Sequence, residues 1–132
     1  LQLKSQESIV YNSKLNNCKL AFDVDSRKLI EKAKCVIGFN STTLIESLIL
    51  KKPIIVPIYG LKKTILNDFT LDLKNSAYYV RNQKELNNIL YDIILGKIVR
   101  PKAKKKNLDK IIKKYIGNCD GKSSKRLINY LI

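Results

Sequence analysis

Histidine does not occur anywhere in the 132 residues of this chain, and its absence excludes several kinds of site. A Ser-His-Asp or Cys-His catalytic arrangement is impossible without an imidazole, and zinc would lack one of its usual ligands. The three cysteines, Cys18, Cys35 and Cys119, are odd in number and do not have the spacing of metal ligands. We therefore expect reduced thiols in a cytoplasmic protein, no bound metal and no cofactor, with Cys35 in a buried strand.

Long apolar runs are also missing. Lysines interrupt every candidate, so no segment approaches the roughly 18 residues that would span a bilayer. The first residues lack the apolar core of a signal peptide, and they lack an initiating methionine, from which we expect a piece of a longer chain. A length of 132 residues and a hydrophobic fraction of 45% suit one globular domain, expected to cover residues 1–132.

Acidic residues are scarce relative to basic ones, and the imbalance is uneven. The net charge is +15, and residues 81–132 contain 14 basic and 4 acidic side chains. The basic segment, residues 100–115, reads RPKAKKKNLDKIIKKY. One interpretation is an anionic partner, such as a phospholipid surface, nucleic acid or a phosphorylated substrate. The other is a solvated linker and helix face. Aromatic residues are sparse here, which argues against the stacking platforms of nucleic-acid binders.

Apolar runs and helical patterns alternate along the chain. Strands are predicted at residues 18–22, 35–39, 53–58 and 77–80, and helices at 25–34, 41–51, 82–95 and 120–132. Residues 59–76 are predicted to be loop-like, with at most one helical turn. The runs CVIGF and PIIVPI do not alternate apolar with polar residues, which is typical of parallel strands buried on both faces. We therefore predict an α/β fold, a Rossmann-like three-layer domain with a mostly parallel sheet.

A polar cluster, Asn40-Ser41-Thr42-Thr43, stands between the CVIGF strand and the next helix. In open α/β sheets ligands bind beyond the carboxyl ends of the strands, where helix N-termini attract anions. Glu46, one turn further, is placed to accept hydrogen bonds from sugar hydroxyls. The predicted substrate-binding residues are Gly38, Asn40, Ser41, Thr42, Thr43 and Glu46.

The same cluster has a purely structural interpretation. Serine, threonine and asparagine are common helix caps, and Thr43 and Glu46 fit a capping box. A cap at Thr43 would leave a helix of barely two turns. A start at Asn40 or Ser41 gives a longer helix and leaves Glu46 available to a ligand. No glycine-rich phosphate loop and no pair of carboxylates for acid-base chemistry stands out, so the sequence indicates no catalytic residue.

Residues 25–60, DSRKLIEKAKCVIGFNSTTLIESLILKKPIIVPIYG, resemble the donor-binding half of GT-B glycosyltransferases that build bacterial capsules, lipopolysaccharide and other surface polymers. The closing residues 115–132 are similar to the final helix of such chains. The related UDP-N-acetylglucosamine 2-epimerases and CDP-glycerol glycerophosphotransferases share the segment. The resemblance covers roughly half of the residues. It departs from the family's pattern where Lys51 replaces the usual glycine before Lys-Pro and where a preceding basic KPHP-like segment is missing.

The resemblance implies roles at a few positions. Ser41, Thr42 and Thr43 match residues that hold the phosphates of a nucleotide-sugar donor, and Glu46 matches an acidic residue that binds ribose hydroxyls. The N-terminal acceptor domain of the family is missing, so we expect the chain alone to transfer no sugar. Such enzymes act on membrane-proximal acceptors, which makes the inner face of the cell membrane a possible peripheral partner. The alternative is a basic module that binds an anionic membrane or nucleic acid.

Overall fold

The structure, a computed structural model, describes residues 17–19, 23–61 and 71–131. These residues contain three parallel strands and five α-helices. The strands are β1 (Val36–Ile37), β2 (Ile54–Pro57) and β3 (Tyr78–Val80), and a 3-10 turn at Lys74–Ser76 precedes β3. The helices are α1 (Ser26–Lys32), α2 (Thr42–Ile49), α3 (Gln83–Ile94), α4 (Lys105–Ile116) and α5 (Ser123–Leu131).

The sheet has the order β1-β2-β3, and both pairs of neighbouring strands are parallel. Ile37 pairs with Ile55 across the first pair, and Ile55 pairs with Tyr78 across the second. All four residues of the central strand β2 are buried. Helices pack on both faces of this parallel sheet and the neighbouring strands cover both edges of β2, which explains why the sequence of β2 is apolar without alternation. The predicted α/β class with a parallel sheet is therefore confirmed.

Helices cover both faces of the sheet. On one face, Leu44 and Leu48 of α2 pack with Ile54 and Val56 of β2 and with Ile111 of α4. On the other face, Ile55 and Val80 pack with α3, chiefly through Ile93, with Leu86 and Leu90 beside it. Successive residues of β2 thus point to opposite helical layers, as the strand period requires. This small sheet is compatible with a Rossmann-like fold.

The first two helices begin where the sequence provides caps. The Asp25 side chain accepts a hydrogen bond from the Arg27 backbone N–H, and Ser41 Oγ accepts one from the Thr43 N–H. The predicted start at Ser41 is confirmed, and the capping box at Thr43 is wrong. Both helices end earlier than predicted, at Lys32 and Ile49.

Helix α3 is predicted almost to the residue. Asn82 caps it by accepting a hydrogen bond from the Glu85 N–H at 2.8 Å. At the other end the Gly96 N–H donates to the Ile93 carbonyl and the Lys97 N–H to the Asp92 carbonyl. This pair of bonds is a Schellman motif, which needs a left-handed residue, and Gly96 has a φ of 73°. The glycine therefore fixes where the helix stops.

The basic segment is not a linker over its helical part. Helix α4 spans Lys105–Ile116, and Leu108, Ile111 and Ile112 face the core between α4 and α2. Tyr115 completes this stripe, which has helical spacing, and its hydroxyl accepts a hydrogen bond from the Asp72 N–H at 2.6 Å. The linker part of that interpretation is wrong here, because four apolar side chains pack against the core, whereas the solvated helix face is confirmed, since the lysines of α4 are exposed.

Helix α5 begins at Ser123, three residues after the predicted start at Asp120. Asp120 instead forms an ion pair with Arg126, whose Nη1 donates to both carboxylate oxygens at 2.9 and 2.8 Å, and this pairing lowers the pKa of the Asp120 carboxyl. The predicted apolar face of the helix does not pack, since Leu127 and Ile128 are exposed. The side chains of Leu131 and Ile132 lie outside the described residues.

Two other predictions fall partly outside the described residues. The strand predicted at residues 18–22 is described only at Cys18 and Lys19, which are exposed and not in a strand. The loop predicted at 59–76 is described at 59–61 and 71–76, where the 3-10 turn at Lys74–Ser76 agrees with the predicted single turn.

Lys51 has a left-handed backbone, with a φ of 57°, in the turn between α2 and β2. This conformation costs a side-chain-bearing residue roughly 1–2 kcal/mol, whereas glycine adopts it freely. We expect Lys51→Gly to raise the free energy of unfolding by about 1 kcal/mol, as measured by urea denaturation. Lys52→Gly is the matched control and should destabilise, because Lys52 Nζ donates to the Glu31 carbonyl at 2.8 Å. Equal losses in both variants would contradict the assignment of strain to Lys51.

Candidate functional site

The turn from β1 into α2 lies at the carboxyl edge of the sheet. β1 ends at Ile37 and α2 begins at Thr42, so residues 38–41 form the connection. Because the three strands are parallel, the segments that follow β2 and β3 leave the sheet at the same edge. This edge is where open α/β sheets bind ligands.

Ser41 and Thr42 expose hydrogen-bonding groups at this turn. Among the described residues the backbone N–H groups of Ser41 and Thr42 have no acceptor, whereas those of Thr43 and Leu44 are paired with Ser41. Ser41 Oγ accepts as the cap, which leaves its hydroxyl proton free to donate. Two N–H groups and two hydroxyls at a helix N-terminus can therefore bind the oxygens of an anion.

The other residues of the cluster have mainly structural roles. Asn40 Oδ1 accepts a hydrogen bond from the Leu71 N–H at 3.1 Å and so ties the turn to the segment before β3. Thr43 is half-buried, and its carbonyl accepts a hydrogen bond from the buried Ser47 hydroxyl at 2.7 Å. At Gly38 an added Cβ would lie 3.2 Å from Leu44 Cδ2. Glycine here allows α2 to pack closely against the end of β1.

Glu46 is one helical turn away and lies towards α1. Its Oε2 accepts a hydrogen bond from Ser26 Oγ at 3.2 Å. It borders a cavity of about 420 Å³ whose lining residues also include Asp25, Arg27 and Ile49. The glutamate is half-buried and retains a second carboxylate oxygen, so it can accept further hydrogen bonds from a ligand in that cavity.

The structure adds residues at the carboxyl edge that the sequence analysis missed. After β2, Tyr59 Oη donates to Gln83 Oε1 at 3.2 Å, which joins the connections that follow β2 and β3. After β3, Arg81 is exposed, and its backbone N–H donates to Glu85 Oε2. Tyr59 and Arg81 each directly follow a predicted strand. Because parallel strands end at the same edge of a sheet, the sequence could have indicated that both residues lie at the edge where the turn lies.

Titratable groups outside this edge show no metal or nucleophilic constellation within the described residues. No three His, Cys, Asp or Glu side chains come together there. Cys35 lies immediately before β1 rather than within a strand, and it packs against the core beneath α3. Partial burial raises the pKa of its thiol, which lowers its reactivity as a thiolate.

A groove of about 480 Å³ lies away from the turn. It runs between the end of α2, helix α4 and residues 117–120. Its polar lining mixes signs, with Lys51, Lys105 and Lys113 beside Asp109 and Asp120. The turn after β1, by contrast, presents exposed hydroxyls and N–H donors that have no acceptor among the described residues, so the turn is the better candidate for a phosphate-bearing ligand.

No family model, curated protein or solved structure matches this chain. Among the helices that the structure describes, none combines the length and the apolar composition needed to cross a bilayer.

Proposed function

We propose that this chain is the donor-binding part of a nucleotide-sugar-dependent glycosyltransferase of surface-polysaccharide synthesis. The observation that supports it best is the pair of exposed residues Ser41 and Thr42 at the carboxyl edge of a parallel sheet, whose two N–H groups have no acceptor among the residues that the structure describes. In this proposal the turn binds the diphosphate of the donor. It assigns no transfer of sugar to the chain alone.

The remaining groups at this edge suit the rest of such a ligand. Arg81, two strands from the turn, adds a positive charge that can offset the diphosphate in the absence of a metal ion. Strands lie about 4.8 Å apart, so a ligand of nucleotide-sugar size can reach from Ser41 to Arg81. Glu46 accepts the hydroxyls of ribose in this proposal. Exposed Phe39 and Tyr59 provide flat surfaces beside the turn for a base or sugar.

The backbone at Lys51 also supports the family resemblance. The family's pattern has a glycine at this position, and the chain adopts a left-handed φ of 57° there. A glycine is the residue that such a backbone favours. The backbone at Lys51 is therefore of the kind that the glycine of the family's pattern would favour.

Calorimetric titration of the 132-residue chain with UDP, CDP, GDP and CMP tests the proposal. We expect saturable binding of one nucleotide class. Ser41→Ala with Thr42→Ala should weaken that binding by about 1–3 kcal/mol, the scale of hydrogen bonds to a charged group. Preference for CDP over UDP would favour the alternative of a CDP-glycerol glycerophosphotransferase of the same fold, and preference for UDP would fit the glycosyltransferase or the alternative of an epimerase.

Two controls separate binding from folding. Alanine at the Ser41 cap costs about 1 kcal/mol of helix stability, whereas glycine costs only a few tenths. Ser41→Gly with Thr42→Val should therefore lose affinity while its thermal unfolding stays close to that of the parent. Ser123→Ala with Ser124→Ala removes two exposed hydroxyls from the N-terminus of another helix, α5, and should leave binding unchanged. Absence of binding by the parent chain to all four nucleotides would refute the site.

A further inference from the structure

The segment that joins α3 to α4 runs along the amino edge of the sheet, opposite the candidate site. Ile98 packs against the same core cluster as Cys35, which precedes β1, and Lys102 Nζ lies 5.7 Å from the ring centroid of Tyr78, the first residue of β3. Cys35 and Tyr78 lie at the starts of β1 and β3. The segment 95–105 and the candidate site therefore occupy opposite edges of the same sheet.

Basic side chains converge on this edge. A cavity of about 350 Å³ is lined by Lys51, Arg100, Lys104 and Lys105 together with Pro101, Ala103 and Leu108, and no acidic residue takes part. The first turn of α4 also lacks an acidic residue, and the Lys104 side chain makes no capping hydrogen bond. Lysines at the positive end of a helix dipole repel both the dipole and one another, and a negatively charged partner relieves this repulsion.

Exposed apolar side chains precede these charges in the same segment of the chain. Ile94, Leu95 and Val99 are 65%, 51% and 64% exposed. They flank the Schellman turn at Gly96, whose hydrogen bonds hold the end of α3 in one conformation, and Lys97 pairs with Asp92 at 3.4 Å. The apolar side chains are thus presented on a defined turn, immediately before Arg100.

We propose that this amino-edge patch, Ile94, Leu95, Val99, Arg100, Lys104 and Lys105, docks on an anionic lipid bilayer. Apolar side chains enter the interface while adjacent lysines and arginine attract acidic headgroups, a combination that suits a membrane surface. Residues 92–114 contain no aromatic residue on which bases could stack, so the same charges suit nucleic acid less well. The apolar side chains of α4 itself contribute nothing to docking, because they face the core.

Docking through this edge leaves the opposite edge accessible. The turn at Ser41 and the exposed Arg81 would face away from the bilayer surface, towards water-soluble ligands. The proposal does not depend on nucleotide binding, and it assigns the membrane contact to a specific edge of the sheet instead of the whole basic segment.

Co-sedimentation of the 132-residue chain with liposomes tests the proposal. Vesicles of phosphatidylcholine with 30% phosphatidylglycerol should bind the chain, and pure phosphatidylcholine vesicles should bind it far more weakly. Replacing Arg100, Lys104 and Lys105 with glutamine should lower the affinity about a hundredfold, since each charge near the surface is worth roughly fivefold. Replacing Leu95 and Val99 with serine should lower it about tenfold.

Matched variants give the controls. Lys28→Gln, Lys84→Gln and Lys125→Gln together change the net charge equally at exposed sites on α1, α3 and α5, and should lower the affinity only slightly. Leu127→Ser with Ile128→Ser removes an equally exposed apolar pair from α5 and should have no effect. Equal losses in patch and control variants, binding indifferent to phosphatidylglycerol, or tighter binding to RNA than to anionic liposomes would each overturn the proposal.

Discussion

Replacing Ile111 with alanine should lower the free energy of unfolding by about 2–5 kcal/mol, the range for truncating a buried isoleucine. Ile111 is 7% exposed and lies in the cluster that joins α4 to α2 and β2. The loss should appear as a lower midpoint of urea denaturation, followed by circular dichroism. Such a loss is large against the total stability of a small domain, about 5–15 kcal/mol.

Ile116, on the same helix, is the control for this measurement. It is 50% exposed, and alanine has the better helix propensity, so Ile116→Ala should change the stability by less than about 1 kcal/mol. A solvated basic segment would show no difference between the two variants. Similar, small effects of both substitutions would therefore mean that α4 does not form part of the core in solution.

A second large effect is expected in the central strand. Ile55 is fully buried in β2 and packs with Val80 and with Ile93 of α3. Ile55→Ala removes apolar contacts from the layer between the sheet and α3 and should cost about 2–5 kcal/mol. Chemical denaturation again measures the change, and an unchanged slope with denaturant would show that the variant remains a two-state folder.

The register of the sheet provides a matched control for Ile55. Ile37 is its direct partner in β1 and is 48% exposed. The same substitution is therefore made at two paired positions that differ in the burial of the side chain. Ile37→Ala should cost less than half as much as Ile55→Ala, because less apolar area returns to water. If the two losses were equal, β2 would not be the buried centre of the sheet.

The sequence predicted the features that local chemistry determines. The unbroken apolar runs predicted parallel strands, Asn82 and Gly96 predicted both ends of α3, and the polar cluster predicted the start of α2 at Ser41. Each of these signals lies within a few residues of the feature that it predicts, so no knowledge of distant contacts was needed.

Features that depend on long-range contacts were missed. Nothing near Ile111 in the sequence reveals that α2 and β2 provide a surface for it, and the surrounding lysines suggested solvent instead. The hydrogen bond between Glu46 and Ser26 joins residues 20 positions apart, and the one between Asp72 and Tyr115 joins residues 43 apart. The exposed face of α5 was expected to pack because its spacing is helical, but spacing does not specify a partner.

Because α4 lies late in the sequence, the two layers that cover the sheet can form only one after the other during synthesis. Among the described residues, the cluster beside α3 includes none beyond Ile98, whereas the opposite cluster includes Leu108, Ile111 and Tyr115. A ribosome that has released the chain only as far as residue 104 would hold a sheet with one finished face and one face still missing a helix. Apolar surface exposed at that stage is what chaperones recognise and what drives misassembly. The lysines that surround the apolar stripe of α4 keep this segment, which is synthesised last, solvated until the helix packs against α2 and β2.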